Sequence, residues 1–455
     1  MRRHLVFVGP TLPQAEAAAL LPGAEIRPPV RHGDLLRLDV GAGDVVLIID
    51  GLFLQTAAVR HREITYLLQR GVTVAGSSSM GALRAAELWP YGMRGFGEIF
   101  RLYRDGEIDG DDEVAIVHGT AEDGYRAYSD PLVGIRIALR DAAAAGAIGA
   151  DDARLLLDLA IALPFRSRGF RALETVARAH VPARVLEAFR SWRSAHDTDA
   201  KAVDARLLLA AAAAGDPELR PAGPGDRPVR NVHTWTFDMW EHRFHGAEHG
   251  DAWVADVDAT AALRLIHPAF PDLHRRQVLS RVTGLDPDHP ALAEQAVAVA
   301  RAKGLDASGT DGWLTERDLA GPADEALVTL LVRACGMTHV RSWSRWDLPP
   351  RLRTPAAMDW GREVVVAARR CRERLLGPVP DGAPRRRFRA EVADQVIARQ
   401  WGCDPGDLAR HAWDRGIPDL PELRRLAEPF VPLLKSRQSG DAVMISDASA
   451  VTSVA

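Results

Sequence analysis

Lysine is nearly missing from this chain. Only Lys201, Lys303 and Lys435 are lysines among its 57 basic residues, and none precedes position 201. The excess of arginine fits an Ala- and Arg-rich coding bias. It also removes the ordinary phosphate loop, because no G-x-x-x-x-G-K-[ST] occurs anywhere. Cysteine is as scarce: Cys335, Cys371 and Cys403 are far apart and form no C-x-x-C pair. That excludes a zinc ribbon or a disulfide scaffold and favours a reducing compartment. No apolar run reaches the roughly 20 residues that span a bilayer, so no membrane association is expected. The net charge of −4 gives no electrostatic case for nucleic-acid binding. The opening MRRHLVFVGP has two arginines and a short apolar run that stops at Gly9-Pro10, with no small-residue cleavage pattern. It reads as a first strand and not a signal peptide, and a cytoplasmic location is expected.

What is present describes a globular protein of 455 residues, enough for two or three domains. Short apolar runs at His4–Val8, Ala24–Arg27, Val45–Ile49, Val72–Ala75 and Val114–Val117 read as strands. Helical stretches at Gln14–Leu21 and Val59–Gln69 fall between them, and another begins after the serines at 77–79. Such alternation predicts an α/β fold with a mostly parallel sheet flanked by helices, followed by a mainly α-helical C-terminal region. Ligands in such sheets gather at the carboxyl ends of the strands. Here those ends are Gly9-Pro10-Thr11, Asp50-Gly51, Gly76–Ser79 and His118. The domain reading is a core over 1–220, with sheet to about 130 and helices after it. A Pro/Gly-rich linker over 221–229, a mainly helical region over 230–440 and a disordered tail over 441–455 complete it.

Three patterns that suggest ligands fail on context. His245-Gly-Ala-Glu248-His249 fits an H-x-x-E-H zinc motif, but Gly246 and Gly250 weaken the helix it needs. Asp105-Gly-Glu107-Ile-Asp109-Gly110 opens like a calcium loop, yet its twelfth position is Ile116 and not a bidentate Glu. Gly92-Met-Arg-Gly95-Phe-Gly97 follows a helix and not a strand, and reads as a turn. No metal and no cofactor are expected.

The stretch VTVAGSSSMGALRAAEL, Val72 to Leu88, runs from strand through a tight turn into a helix, with three serines at the turn. A serine at a helix start is most simply an N-cap. The same place offers a nucleophile beside backbone N–H groups able to hold an oxyanion. Ser79 approximates the serine of a small-x-Ser-x-Gly elbow, and a base is sought among His118, Asp50, His61 and Glu63.

These segments resemble the TfuA-like family, named for a trifolitoxin biosynthesis protein. The resemblance runs through VFVGPTLP (Val6–Pro13), IRPPVRHGDLLRL (Ile26–Leu38), IIDGLF (Ile48–Phe53) and VRHREI (Val59–Ile64). It continues through GSSSMGALRAAEL (Gly76–Leu88) and the stretch from Pro90 to Gly119, and covers about the first 215 residues. The resemblance implies partnership with a YcaO enzyme in peptide backbone thioamidation. In that process a TfuA-like protein is thought to hydrolyse the thiocarboxylated C-terminus of a ThiS-like sulfur carrier and to help engage the precursor peptide. It also implies a Ser–Lys hydrolytic pair, with the serine on Ser79 and the lysine position occupied by Arg62. Arginine stays protonated, so Arg62 would bind the thiocarboxylate or the oxyanion, leaving His118 or His61 as base. Gly9, Thr11, Asp50, His61, Ser77, Ser78, Gly81, Arg84 and Arg94 are the expected binding residues. A non-catalytic adaptor joining enzyme, carrier and peptide, and a generic serine hydrolase, are the rival readings.

Overall fold

A computed structural model describes residues 2–52, 56–219, 233–306, 312–377, 388–440 and 445–448. The chain forms two compact units, Met1–Val232 and His233–Ala455. The linker expected at 221–229 and most of the tail expected at 441–455 lie outside the described residues. No described helix is long and apolar enough to cross a membrane.

The first unit is built on five parallel strands: β1 (His4–Phe7), β2 (Glu25–Arg27), β3 (Val45–Ile48), β4 (Thr73–Ser77) and β5 (Arg94–Phe96), in the order β2-β1-β3-β4-β5. Its helices are α1 (Gln14–Leu20), α2 (His61–Gln69), α3 (Met80–Leu88) and α4 (Glu98–Arg104). They are followed by α5 (Leu132–Ala144), α6 (Ala150–Ala162), α7 (Phe170–Ala177), α8 (Ala183–Ala195) and α9 (Ala200–Ala214). Alternation along each strand sends side chains to opposite faces. Leu5, Phe7, Val46, Ile48 and Val74 pack with Ile64 and Leu67 of α2 and with Ala82 and Ala85 of α3. On the other face Val6, Val8, Val45, Leu47 and Ile49 pack with Ala17 of α1 and with Ala205, Leu208 and Leu209 of α9. Both faces are covered, which explains why the central strands are apolar at every position. Helices α5 to α8 enclose a core of their own around Ile135, Leu156 and Phe189.

Two sequence expectations are corrected here. Val114–Val117 is not a strand. It follows a short 3-10 turn and is held by Ser129 Oγ, which accepts from the Val117 N–H at 2.8 Å, and by an isolated bridge between His118 and Ala127. The fifth strand is instead Arg94–Phe96, inside the glycine-rich stretch that reads as a turn. His118 therefore does not end a strand.

The second unit is helical apart from one hairpin, β6 (Gly246–His249) with β7 (Ala252–Ala255), which the sequence reading lacks. The hairpin holds Glu248 and His249, so the H-x-x-E-H spacing does not fall on one helix face, and His245 Nδ1 is paired with Asp256 at 2.9 Å. Its helices are α10 (Trp235–Phe244), α11 (Asp256–Ile266), α12 (Phe270–Thr283), α13 (Leu292–Ala302), α14 (Glu316–Ala320) and α15 (Ala323–Gly336). Next come α16 (Pro355–Leu376), α17 (Ala390–Trp401), α18 (Leu408–Trp413), α19 (Leu420–Ala427) and α20 (Val431–Gln438). Helices α11 and α16 cross closely: a Cβ on Gly361 would lie 2.6 Å from the Ala259 carbonyl oxygen.

Candidate functional site

In a doubly wound sheet the crevice opens where strand connections diverge to the two sides. Here that point lies between the carboxyl ends of β1 and β3, at Gly9–Thr11 and Asp50. Asp50 is buried and organises it. Its Oδ2 accepts from the backbone N–H groups of Gly9 (2.9 Å) and Thr11 (3.0 Å), and its Oδ1 accepts from the Thr11 hydroxyl at 2.6 Å. The β1 loop thus spends the N–H groups of Gly9 and Thr11, two of the expected binding residues, on the Asp50 carboxylate.

The serine turn sits beside this carboxylate. Ser77 ends β4, and the Ser79 N–H bonds back to the Ser77 carbonyl at 2.9 Å, closing a γ-turn over Ser78. Ser78 takes φ +68°, a left-handed conformation that a side chain rarely adopts. Strain of this kind persists only where the surroundings over-determine it, and it clusters at functional turns. The residue projected by the sharp turn is therefore Ser78, one position before the serine favoured from the sequence. Ser78 Oγ reaches Thr11 Oγ1 at 3.4 Å, which continues to Asp50. Ser77 Oγ is buried with no partner among the described residues, and Ser79 is the N-cap residue of α3 without a side-chain cap bond.

Two glycines make the turn possible. A Cβ on Gly81 would meet the Ile48 carbonyl oxygen at 1.7 Å, and one on Gly76 would meet the Gly81 carbonyl oxygen at 2.1 Å. The start of α3 therefore lies directly against β3 and β4. The Gly81 N–H donates to Ile49 at 3.2 Å, so Gly81 is a packing residue and not an oxyanion donor. The first-turn N–H of Met80 has no acceptor within its own helix.

The residue that sequence reading missed is Lys201. Helix α9 carries it across the sheet face, where it is buried and its Nζ donates to the Val114 carbonyl at 3.2 Å. Burial pushes its ammonium below the usual lysine range, against the opposing pull of Asp50 and Asp199. Lys201 is thus within electrostatic reach of the carboxylate that holds the β1 loop. One signal was available: it is the only lysine in the first 302 residues, set in an Ala/Leu-rich helix. Asp204, one turn on, is structural. It accepts from the Glu98 and Ile99 N–H groups at 2.8 Å each, and burial raises its carboxyl to about 6.

The remaining expected residues fall elsewhere. Arg62 is exposed on α2. His61 Nε2 is bonded to Glu87 at 2.7 Å, and Arg84 joins the same carboxylate at 2.6 Å. Glu87 lies eight residues beyond Ser79, about 12 Å along the helix axis, so His61 and Arg84 belong to a separate surface network. Glu63 is wholly buried as a staple, accepting from the Gly33 and Arg60 N–H groups at 2.8 and 3.0 Å and facing His32 at 2.7 Å. Arg94 is on β5, with its Nε buried and unpartnered. His118 Nδ1 faces the Gly119 carbonyl at 2.7 Å, and its ring lies edge-on to Tyr125 with centroids 6.0 Å apart. Tyr125 in turn covers Gly9, where a Cβ would lie 3.2 Å from its ring.

Fold and site together define a parallel α/β domain with a strained seryl turn at its switch point. Residues 50–169 match the family model described as TfuA-like protein, and over that segment the chain is similar to that family. The match takes in Asp50 and the serine turn; the motifs before residue 50 and Lys201 lie outside it. No curated protein matches the chain.

Proposed function

We propose that the first unit is the TfuA-like partner of a YcaO enzyme in backbone thioamidation of a ribosomally made peptide. Its reaction is hydrolysis of the thiocarboxylate on a ThiS-like carrier protein, releasing sulfide. The observation that carries this reading is the chain Ser78–Thr11–Asp50 beside buried Lys201. A hydroxyl needs a base and a fixed orientation to attack a carbonyl, and a lysine whose charged form is disfavoured by burial supplies the first. Ser78 Oγ attacks the thioacid carbon while its proton passes through the Thr11 hydroxyl to Asp50 and on to Lys201, which lies within electrostatic reach of that carboxylate. The C–S bond breaks, sulfide leaves with that proton, and water clears the resulting ester to the carboxylate. In this mechanism the first-turn N–H of Met80, which has no acceptor within its own helix, holds the developing oxyanion.

Sulfide release from a thiocarboxylated carrier, measured colorimetrically, tests this. Ser78→Ala and Lys201→Met are expected to lower the rate about 1,000-fold or more, as loss of a nucleophile or its base does. Ser79→Ala is expected to stay within about tenfold. Undiminished release in Ser78→Ala removes the hydrolase reading.

One observation favours an adaptor role: Ser78 and Ser77 are wholly buried, so a carrier C-terminus reaches them only if the chain around them moves. On that reading Ser78→Ala leaves thioamidation by the reconstituted system intact.

A further inference from the structure

The second unit contains a cavity of about 760 Å3, in the range of ligand-binding clefts. Its floor is apolar, formed by Val257, Ala261, Trp343, Val365, Leu426 and Phe430. Its walls carry five arginines against two acids, Asp258 and Glu373, in a chain whose overall charge is negative. The arginines come from four separate elements: Arg243 from α10, Arg341 from a 3-10 turn, Arg369 and Arg372 from α16, and Arg425 from α19. They surround the floor and do not share one element.

Three of them are held in place. Arg369 donates to the Trp253 carbonyl at 2.8 Å, Arg372 pairs with Glu428 at 2.9 Å, and Arg425 pairs with Glu422. Arg243 and Arg341 are exposed, and neither makes an ion pair among the described residues. Exposed guanidiniums over an apolar floor, set on different elements, match carboxylates spaced along an extended or helical segment with an apolar side chain between them.

We propose that this cavity binds an acidic peptide segment, with an aliphatic or aromatic side chain on the floor and flanking carboxylates on Arg243 and Arg341. The proposal does not depend on the hydrolase reading of the first unit.

The test is fluorescence anisotropy with the full chain and a labelled synthetic peptide in which glutamates flank leucines. Binding is expected to weaken with added salt and to fall at least about tenfold, or about 1.4 kcal/mol, in the double variant Arg243→Glu/Arg341→Glu, while Ser78→Ala binds as the parent does. Both arginines are exposed, and an unchanged thermal midpoint shows that the double variant is folded. Equal affinity in the double variant overturns the proposal, as does equal binding of a peptide with lysines in place of the glutamates. Complete displacement by millimolar inorganic phosphate also overturns it, since the cavity would then be a small-anion site. Failure of the glutamate peptide to bind at all overturns it too.

Discussion

Lys201 shows how much one side chain can cost a fold that needs it. Its ammonium is buried, and its one hydrogen bond among the described residues goes to a carbonyl at 3.2 Å. Desolvation lowers its pKa in the folded state, so the unfolded chain holds its proton more tightly. Between the lowered folded value and the unfolded value near 10.5, stability must therefore rise with pH. An uncharged side chain of similar length removes that term. Lys201→Met is expected to melt at a higher temperature than the parent at pH 7, with the gap closing as pH approaches 10, while sulfide release is lost. Calorimetry across that range checks it, and a lower midpoint at pH 7 would contradict the burial argument. The cluster was half legible in the sequence. Three serines before a helix mark a turn, but which serine turns the corner depends on a φ that no composition encodes. Lys201 is 123 positions beyond Ser78 and reaches the site only because α9 packs on the same sheet face as Val6 and Val8. Arg62, which the motif promotes, is on the solvent side of α2. Arg62→Ala is expected to keep sulfide release within a few-fold of the parent, since the residue is exposed.

The turn depends on two elements touching without side chains between them. Gly81 sits where a Cβ would be 1.7 Å from a main-chain oxygen of β3. Neither partner is flexible, so α3 must move away from the sheet if anything larger is placed there. Gly81→Ala is expected to cost about 2–3 kcal/mol in denaturant unfolding, the upper range for overpacking. It should also slow sulfide release, because the same shift moves Ser78 from Thr11. A variant with unchanged midpoint would show that α3 is not clamped. Strand placement shows where sequence patterns stop being informative. The central strands are read easily because both faces are covered. The edge strand Arg94–Phe96 pairs with β4 alone, so one arginine, one glycine and one phenylalanine suffice, and no apolar signature results. Val114–Val117 has that signature without being a strand: Ser129 Oγ and the Tyr128 N–H take up the backbone groups of Val117, and Lys201 donates to the Val114 carbonyl.

On the scale of the whole molecule the two units carry different ionisable burdens. The second unit buries His242, held by burial at about 4, and His274, held well below the usual histidine range by burial beside Arg264, Arg281 and Arg415. Among the described residues neither His274 ring nitrogen has a hydrogen-bond partner. Both imidazoles stay neutral in the folded unit, whereas in the unfolded chain they take up protons below about 6.5. The unfolded state then binds more protons, so stability falls as pH drops from 6.5 toward 4, by about 3 kcal/mol for His242 alone. Nine of the eleven tryptophans lie beyond residue 232, so tryptophan emission mainly reports this unit. Denaturant titrations followed by that emission should give a midpoint that declines from pH 7 to pH 4.5. His274→Leu should flatten the decline, because an apolar side chain in that pocket neither titrates nor leaves nitrogens unsatisfied. An equal slope in parent and variant would mean that the unit's acid sensitivity comes from its carboxylates, Asp318 beside buried Arg333 among them. Asp318, though burial raises its carboxyl, is held on balance below the usual carboxylate range by Thr315 and Arg333, so its contribution lies on the acid side of the histidine window.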